Sequence, residues 1–190
     1  MEKAPQETLD EHRRRAAQMG GPESVEKIHA RGKLTARERL NRLLDPDSFV
    51  EIGMLAHSQN DDLKERTPAD GMLAGSGKID GRDVYVTADD GTVFAGTRGR
   101  VAEVKNKRVR DLALRHGKPF IALMEAGAAR VQETYGATAA GLGYRFGDHF
   151  RMSGRVPQVG AALGPCFGGP SFTAAQSDFV PIVAGTGFLG

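Results

Sequence analysis

Hydrophobic and polar positions change their rhythm once along this chain, near residue 70. Before that point apolar residues are sparse and recur at helical intervals among charges. Residues 8–19 read as a polar helix, and residues 22–30 as a second short one with Val25 and Ile28 on one side. Thr35-Ala36-Arg37-Glu38 is a capping box, in which the Thr35 side chain accepts the Glu38 N–H while the Glu38 carboxylate reaches back. The helix it opens carries Leu40, Leu43 and Leu44 on one face and stops at Asp45-Pro46-Asp47. Residues 48–52 then read as a short extended segment, and residues 60–70 as a polar, mobile loop.

From residue 71 onward the pattern predicts alternating strands and helices. Residues 72–79 and 84–88 flank Asp80-Gly81-Arg82-Asp83, a hairpin signal built on Asp-Gly. Residues 92–96 suggest a third strand. Residues 98–116 form the clearest helix, with Val101, Val104, Val109, Leu112 and Ala113 along one side and Gly117 closing it. Lys105, Lys107, Arg108 and Arg110 read as a basic, solvated face of that helix. A strand over 119–124, a helix over 138–152, a strand over 157–163, a helix over 171–176 and a strand over 179–183 complete the series. The chain thus divides into a helical arm over 1–66 and an α/β unit, a mixed sheet with packed helices, over 71–190.

Two strand ends carry the candidate chemistry. The first apolar run ends in Glu125-Ala126-Gly127-Ala128-Ala129-Arg130, and the second leads into Gly164-Pro165-Cys166-Phe167-Gly168-Gly169-Pro170-Ser171. Small residues at such turns leave backbone N–H groups facing open space. Two turns of this kind can each aim one N–H at the same oxygen, which suits a developing oxyanion. Either turn alone is equally well explained as a tight connection with no ligand. Cys166 reads as a small buried residue rather than a nucleophile, and His149 as a packed or solvated helix residue.

Composition narrows the choice. The 190 residues include 25 glycines, 39% hydrophobic and 6% aromatic residues, with a formal net charge of +2, which argues against a nucleic-acid-binding field and against base-stacking platforms. A lone cysteine excludes an internal disulfide and a cysteine zinc site, and no metal site is expected. No apolar run is long enough to span a bilayer, no signal-peptide core is visible, and the cytoplasm is the default compartment.

Several segments together resemble the carboxyltransferase β subunit of biotin-dependent acyl-CoA carboxylases, the group that includes propionyl-CoA carboxylase. They are Ala30-Arg31-Gly32-Lys33-Leu34-Thr35-Ala36-Arg37-Glu38-Arg39-Leu40 with Leu43-Leu44-Asp45-Pro46 and Ser48-Phe49-Val50-Glu51, the hairpin over 75–86, Thr92-Val93-Phe94-Ala95-Gly96, and the two turns. The resemblance implies a crotonase-like (ClpP/crotonase) fold of ββα units wound into a superhelix, with this chain supplying part of the N-terminal carboxyltransferase domain. It implies transfer of carboxylate from carboxybiotin, carried by a partner biotin carboxylase or biotin carrier subunit, to the α-carbon of an acyl-CoA. The enolate oxygen would be held by N–H groups of Gly127 or Ala128 and of Gly168 or Gly169. The full-length form is implied to be a homo-oligomer, and the half that grips biotin is not in this chain.

The sequence departs from that family at Glu125, Ala126 and Ala128 in the first turn and at Phe167 and Pro170 in the second. Phe167 is positioned to reshape the acyl pocket, and Pro170 has no N–H to donate. Arg130 is a substrate-binding candidate through a CoA phosphate, or pairs with Glu125, and the ion pair is the favoured expectation. Two other classes stay open: a crotonase-type hydratase or isomerase using Glu133 or Asp148, and a non-catalytic assembly fragment.

Overall fold

The computed structural model describes residues 5–139 and 146–190. Three helices come first: α1 (Pro5–Ala17), α2 (Pro22–His29) and α3 (Ala36–Leu43). The capping box at α3 is present as the sequence predicts, with both the Thr35 and the Glu38 bonds formed. Strand β1 (Val50–Glu51) follows and pairs antiparallel with β2 (Met72–Ile79), which pairs antiparallel with β3 (Arg82–Asp89). Between β2 and β3, Asp80 and Gly81 take φ of 50° and 75°. Left-handed geometry at both central residues matches the strand twist, hence the Asp-Gly preference.

The rest of the sheet is parallel. Strands β4 (Phe120–Ala126), β5 (Gln158–Cys166) and β6 (Phe188–Leu189) add in order to give a six-stranded sheet β1-β2-β3-β4-β5-β6. Helix α5 (Arg100–His116) makes the crossover from β3 to β4 and ends on Gly117 at φ 60°. Both faces of β4 are covered, as parallel strands require. Phe120, Ala122 and Met124 pack with Ala102, Val109 and Ala113 of α5, while Leu123 and Ala161 pack with Leu40 and Leu44 of the N-terminal segment.

Four expectations are corrected. Residues 60–70 hold a short helix α4 (Asp61–Lys64) and a tight turn over Pro68–Gly71, with Leu63, Thr67 and Asp70 buried. Residues 92–96 are not a strand. Phe94, Ala95 and Gly96 are all left-handed, and a Cβ on Gly96 would lie 2.2 Å from the Glu125 carbonyl oxygen. Residues 179–183 make only isolated bridges, Phe179 to Val159 and Ile182 to Ala162, and pairing resumes at β6. The basic face of α5 is half interior: Lys105 and Arg110 are buried, whereas Val104 is 63% exposed. The helix expected over 138–152 lies partly outside the described residues; within them the chain forms α6 (Val131–Thr134) and α7 (Gly147–Met152). The segment from Gly169 to Ala175 is α8.

Two buried groups set an alkaline signature. The Lys105 ammonium donates to the carbonyls of Ala69 and Met72, and burial pushes its pKa down to about 8. The unfolded chain holds this proton up to about pH 10.4, so stability rises with pH between these values. Cys166 opposes this, because burial raises its thiol to about 11 and the unfolded chain gives up that proton near pH 8.5. We expect unfolding free energy to climb just above pH 8 and then flatten. In Cys166→Ser the climb continues, by about 3 kcal/mol in all by pH 10.4. Urea unfolding at stepped pH checks this; a flat profile in the serine variant would overturn it.

Candidate functional site

The two turns foreseen from the sequence meet at the carboxyl ends of β4 and β5. These strands are parallel neighbours, Ala126 is in register with Cys166, and the Phe167 N–H donates to the Ala126 carbonyl at 3.2 Å. The chain leaves β4 through Ala128 at φ 74° and leaves β5 through Gly168 at φ 61°. The turns touch: a Cβ built on Gly168 would sit 3.9 Å from the Cβ of Ala128.

The N–H groups of the four candidate residues fall into two classes. Gly127 donates to the Ala95 carbonyl at 3.2 Å and Gly168 to the Gly190 carbonyl at 3.0 Å, so neither is a free donor as the sequence reading allowed. Ala128 and Gly169 have no acceptor among the described residues. A buried or half-buried N–H without a partner is uncommon. Among the four candidates one stands on each turn, and the neighbouring Ala129 and Ser171 N–H groups likewise have no acceptor among the described residues. Pro170, which has no N–H, occupies the first turn of α8, where the missing donor costs little.

The charged residues around the turns take partners that the sequence did not reveal. Glu125 does not pair with Arg130. Its carboxylate accepts Lys33 at 2.7 Å and Arg39 at 2.5 Å, both from the N-terminal segment. Arg130 is 1% exposed and lies on Asp70 and Glu133. Buried on these two carboxylates, its guanidinium presents no exposed face to a CoA phosphate. Phe167 is 40% exposed at the mouth of the second turn, with its ring edge-on to Phe188 at 5.0 Å.

The side chains at the turns that could serve as nucleophile or base are engaged: Glu125 in its ion pairs, and the Ser171 hydroxyl with the Cys166 and Gly190 carbonyls. The buried Cys166 thiol faces the Met124 and Gly164 carbonyls. His149 is packed, with Nδ1 on the Gln158 Oε1 at 2.7 Å, and burial with the nearby Arg110 charge lowers its pKa. Glu133 is held by Arg130, Ser58 and the Arg100 N–H; burial alone would raise its pKa, and these hydrogen bonds bring it below the ordinary value. Asp148 is buried 3.6 Å from Arg110 and Lys107.

Asp89 and Arg98 were not foreseen. They form a buried two-point ion pair at 2.8 and 2.9 Å, and Asp89 also accepts the Glu125 N–H at 3.3 Å. A carboxylate at the end of the apolar run over 84–88 was the available signal. A cavity of about 350 Å³ lies elsewhere, between α1 and residues 54–69, and includes no residue of either turn.

Comparison with known proteins places these features. A family model described as a carboxyl transferase domain matches residues 27–190. The chain is 43% identical over 178 residues to the biotin-dependent acetyl-/propionyl-coenzyme A carboxylase beta5 subunit of Mycobacterium tuberculosis, covering 90% of this chain and 32% of that protein. It is 40% identical over 177 residues to the methylmalonyl-CoA carboxyltransferase 12S subunit of Propionibacterium freudenreichii subsp. shermanii, covering 92% and 34%. Among solved structures, a transcarboxylase 12S hexamer crystallised with methylmalonyl-coenzyme A and methylmalonic acid matches with a TM-score of 0.86 and 38% identity, over 96% of this chain and 37% of that one. The chain therefore spans about a third of the length of these relatives, in their crotonase-like fold. By the family model and by relatives this similar, the chain belongs to the carboxyl transferase domain family.

Proposed function

We propose that this chain is the acyl-CoA side of a biotin-dependent carboxyltransferase. In this reading the Ala128 and Gly169 N–H groups hold the thioester oxygen of an acyl-CoA and stabilise the enolate formed when the α-proton leaves. The observation that carries it is the pair of acceptor-free N–H groups on two touching turns. Each such donor is worth on the order of 3 kcal/mol when aimed at developing charge. Phe167 borders the acyl group, and the Ala128 Cβ narrows the space beside it.

The donor set fits a carbonyl oxygen, and the turns offer no unengaged base of their own among the described residues. Carboxybiotin, when bound, supplies the carboxyl group and a nitrogen base. The reading therefore includes a biotin-bearing partner subunit and a homo-oligomeric full-length form. A cytoplasmic location, with which the lone buried Cys166 is in keeping, belongs to the same reading. No helix among the described residues is long and apolar enough to cross a membrane.

A hydratase would need a free carboxylate over the acyl chain, and both candidates, Glu133 and Asp148, are engaged in ion pairs. The test is made with ¹³C-carbonyl-labelled propionyl-CoA. Infrared difference spectra of the chain with this ligand should show the thioester stretch shifted to lower frequency. Joined to the biotin-gripping half and supplied with a carboxybiotin-bearing partner, the chain should yield the carboxylated acyl-CoA. Hydration of an enoyl-CoA by the chain without biotin would replace the proposal, and an unshifted stretch would remove it. The chain without a partner is expected to give no carboxyl transfer. In the assembled enzyme Cys166→Ser is expected to retain nearly full turnover, because an enolate route uses no thiolate; abolished turnover with the fold intact would overturn this.

A further inference from the structure

Ala128, at φ 74°, adopts a left-handed backbone conformation that is strained for a residue with a Cβ. Something must hold it there. Its carbonyl accepts the Arg98 N–H at 2.9 Å, and the Arg130 N–H returns to the Arg98 carbonyl at 2.9 Å. These bonds fix the turn against residues 97–99, but they leave open what holds Arg130. Its guanidinium answers that question. One terminal nitrogen donates to Asp70 at 2.5 Å and to Glu133 at 2.7 Å, and the other to the Thr97 carbonyl at 3.0 Å.

Asp70 is the centre of the arrangement. It is completely buried and is itself left-handed, at φ 50°. One carboxylate oxygen takes Arg130, and the other takes the Ala102 N–H in the first turn of α5 at 2.7 Å. It therefore ties three separate pieces together: the entry to β2, the start of α5 and the segment that follows Ala128. Space around it is tight. A Cβ on Gly99 would lie 2.4 Å from the Arg130 Nη1, 2.7 Å from the Asp70 Oδ2 and 2.8 Å from the Glu133 Oε2.

We infer that Asp70 is a positioning residue, which acts through Arg130 to hold the Ala128 N–H toward the substrate oxygen. The inference rests on the carboxyltransferase reading for the identity of that oxygen. Asp70 touches no substrate. Its effect is geometric: without the carboxylate, Arg130 loses one of its two carboxylate anchors and its tie to the start of α5, and Ala128 is free to relax from its left-handed conformation.

The experiment compares three variants of the chain. Asp70→Asn removes the charge and keeps the shape. Gly99→Ala disturbs the same cluster without removing any charge, so it decides the matter should Asp70→Asn fail to fold. Asp148→Asn is the matched control, removing a buried carboxylate that does not touch the turn. Two quantities are read. One is the infrared shift of ¹³C-carbonyl-labelled propionyl-CoA. The other is the ¹⁵N relaxation order parameter of the Ala128 amide, which needs no ligand.

In Asp70→Asn and Gly99→Ala the thioester shift is expected to be mostly lost. The order parameter should fall from the rigid value of about 0.85 toward about 0.6. Asp148→Asn should keep both. A rigid Ala128 amide and a full shift in the first two variants would overturn the inference, and so would equal losses in all three. If the parent chain itself gives no thioester shift, the oxyanion reading fails, while the order parameters still decide the role of Asp70.

Discussion

Glu125→Ala is expected to destabilise the chain by about 3–5 kcal/mol, the usual cost of leaving a buried charge without its partner. Here two charges are left. The carboxylate is 9% exposed and lies between Lys33 and Arg39, themselves 13% and 10% exposed. Removing it leaves two desolvated cations facing each other with no anion to share. At about 2–4 °C per kcal/mol for a chain of this size, the midpoint of thermal unfolding should fall by roughly 6–20 °C. Glu23→Ala, which removes the carboxylate of an exposed pair with Lys27, should leave the midpoint unchanged. The sign of a second comparison is also set. Replacing the whole triad by apolar side chains of similar volume should recover most of the loss, because the desolvation cost of the ions disappears with them. A fall of only a degree or two in Glu125→Ala would show that the N-terminal segment is not fastened at this point. The link has a functional side, since Glu125 lies two residues before Gly127 and its backbone N–H is held by Asp89.

What could be read from the sequence was what near neighbours determine. The Thr35–Glu38 capping box, the Asp80-Gly81 hairpin and the end of α5 at Gly117 each depend on residues within a few positions, and each is as expected. The two turns were legible for the same reason, because small residues after an apolar run mark a strand end wherever it lies. Partners that arrive from far along the chain were not legible. Lys33 meets Glu125 across 92 positions and Arg130 meets Asp70 across 60, so a local reading joined Glu125 to Arg130 instead. The buried charges of α5 were misread likewise: Lys105 looks solvated until the Ala69 and Met72 carbonyls appear beside it. At the site, glycine marked where N–H groups are accessible. It did not say which of them are free, because the competing acceptors, Ala95 and Gly190, lie about thirty and twenty positions away.

That last distinction supports the prediction of largest effect. Replacing the Ala128 amide by an ester, with lactic acid in place of alanine, exchanges N–H for O and leaves the side chain and the left-handed turn in place. On the proposed carboxyltransferase reading, in an enzyme completed by the biotin-gripping half and a biotin-bearing partner, kcat should fall by about 10²–10³, on the order of 3 kcal/mol, as for loss of one oxyanion donor. The KM for acyl-CoA should change far less, because the oxygen carries full charge only as the enolate forms and ground-state binding depends little on this bond. The equivalent ester at Gly169 should behave in the same way. An ester at Gly127 should not. It removes the bond to the Ala95 carbonyl, an ordinary internal hydrogen bond worth about 1 kcal/mol of stability, and leaves the free donors in place. Kinetics on the three esters, with thermal unfolding as the companion measurement, separates the two classes of N–H. Equal losses of kcat at Gly127 and Ala128 would show that the free donors are not where the chemistry occurs. A change confined to KM would show that they bind the substrate without stabilising its transition state.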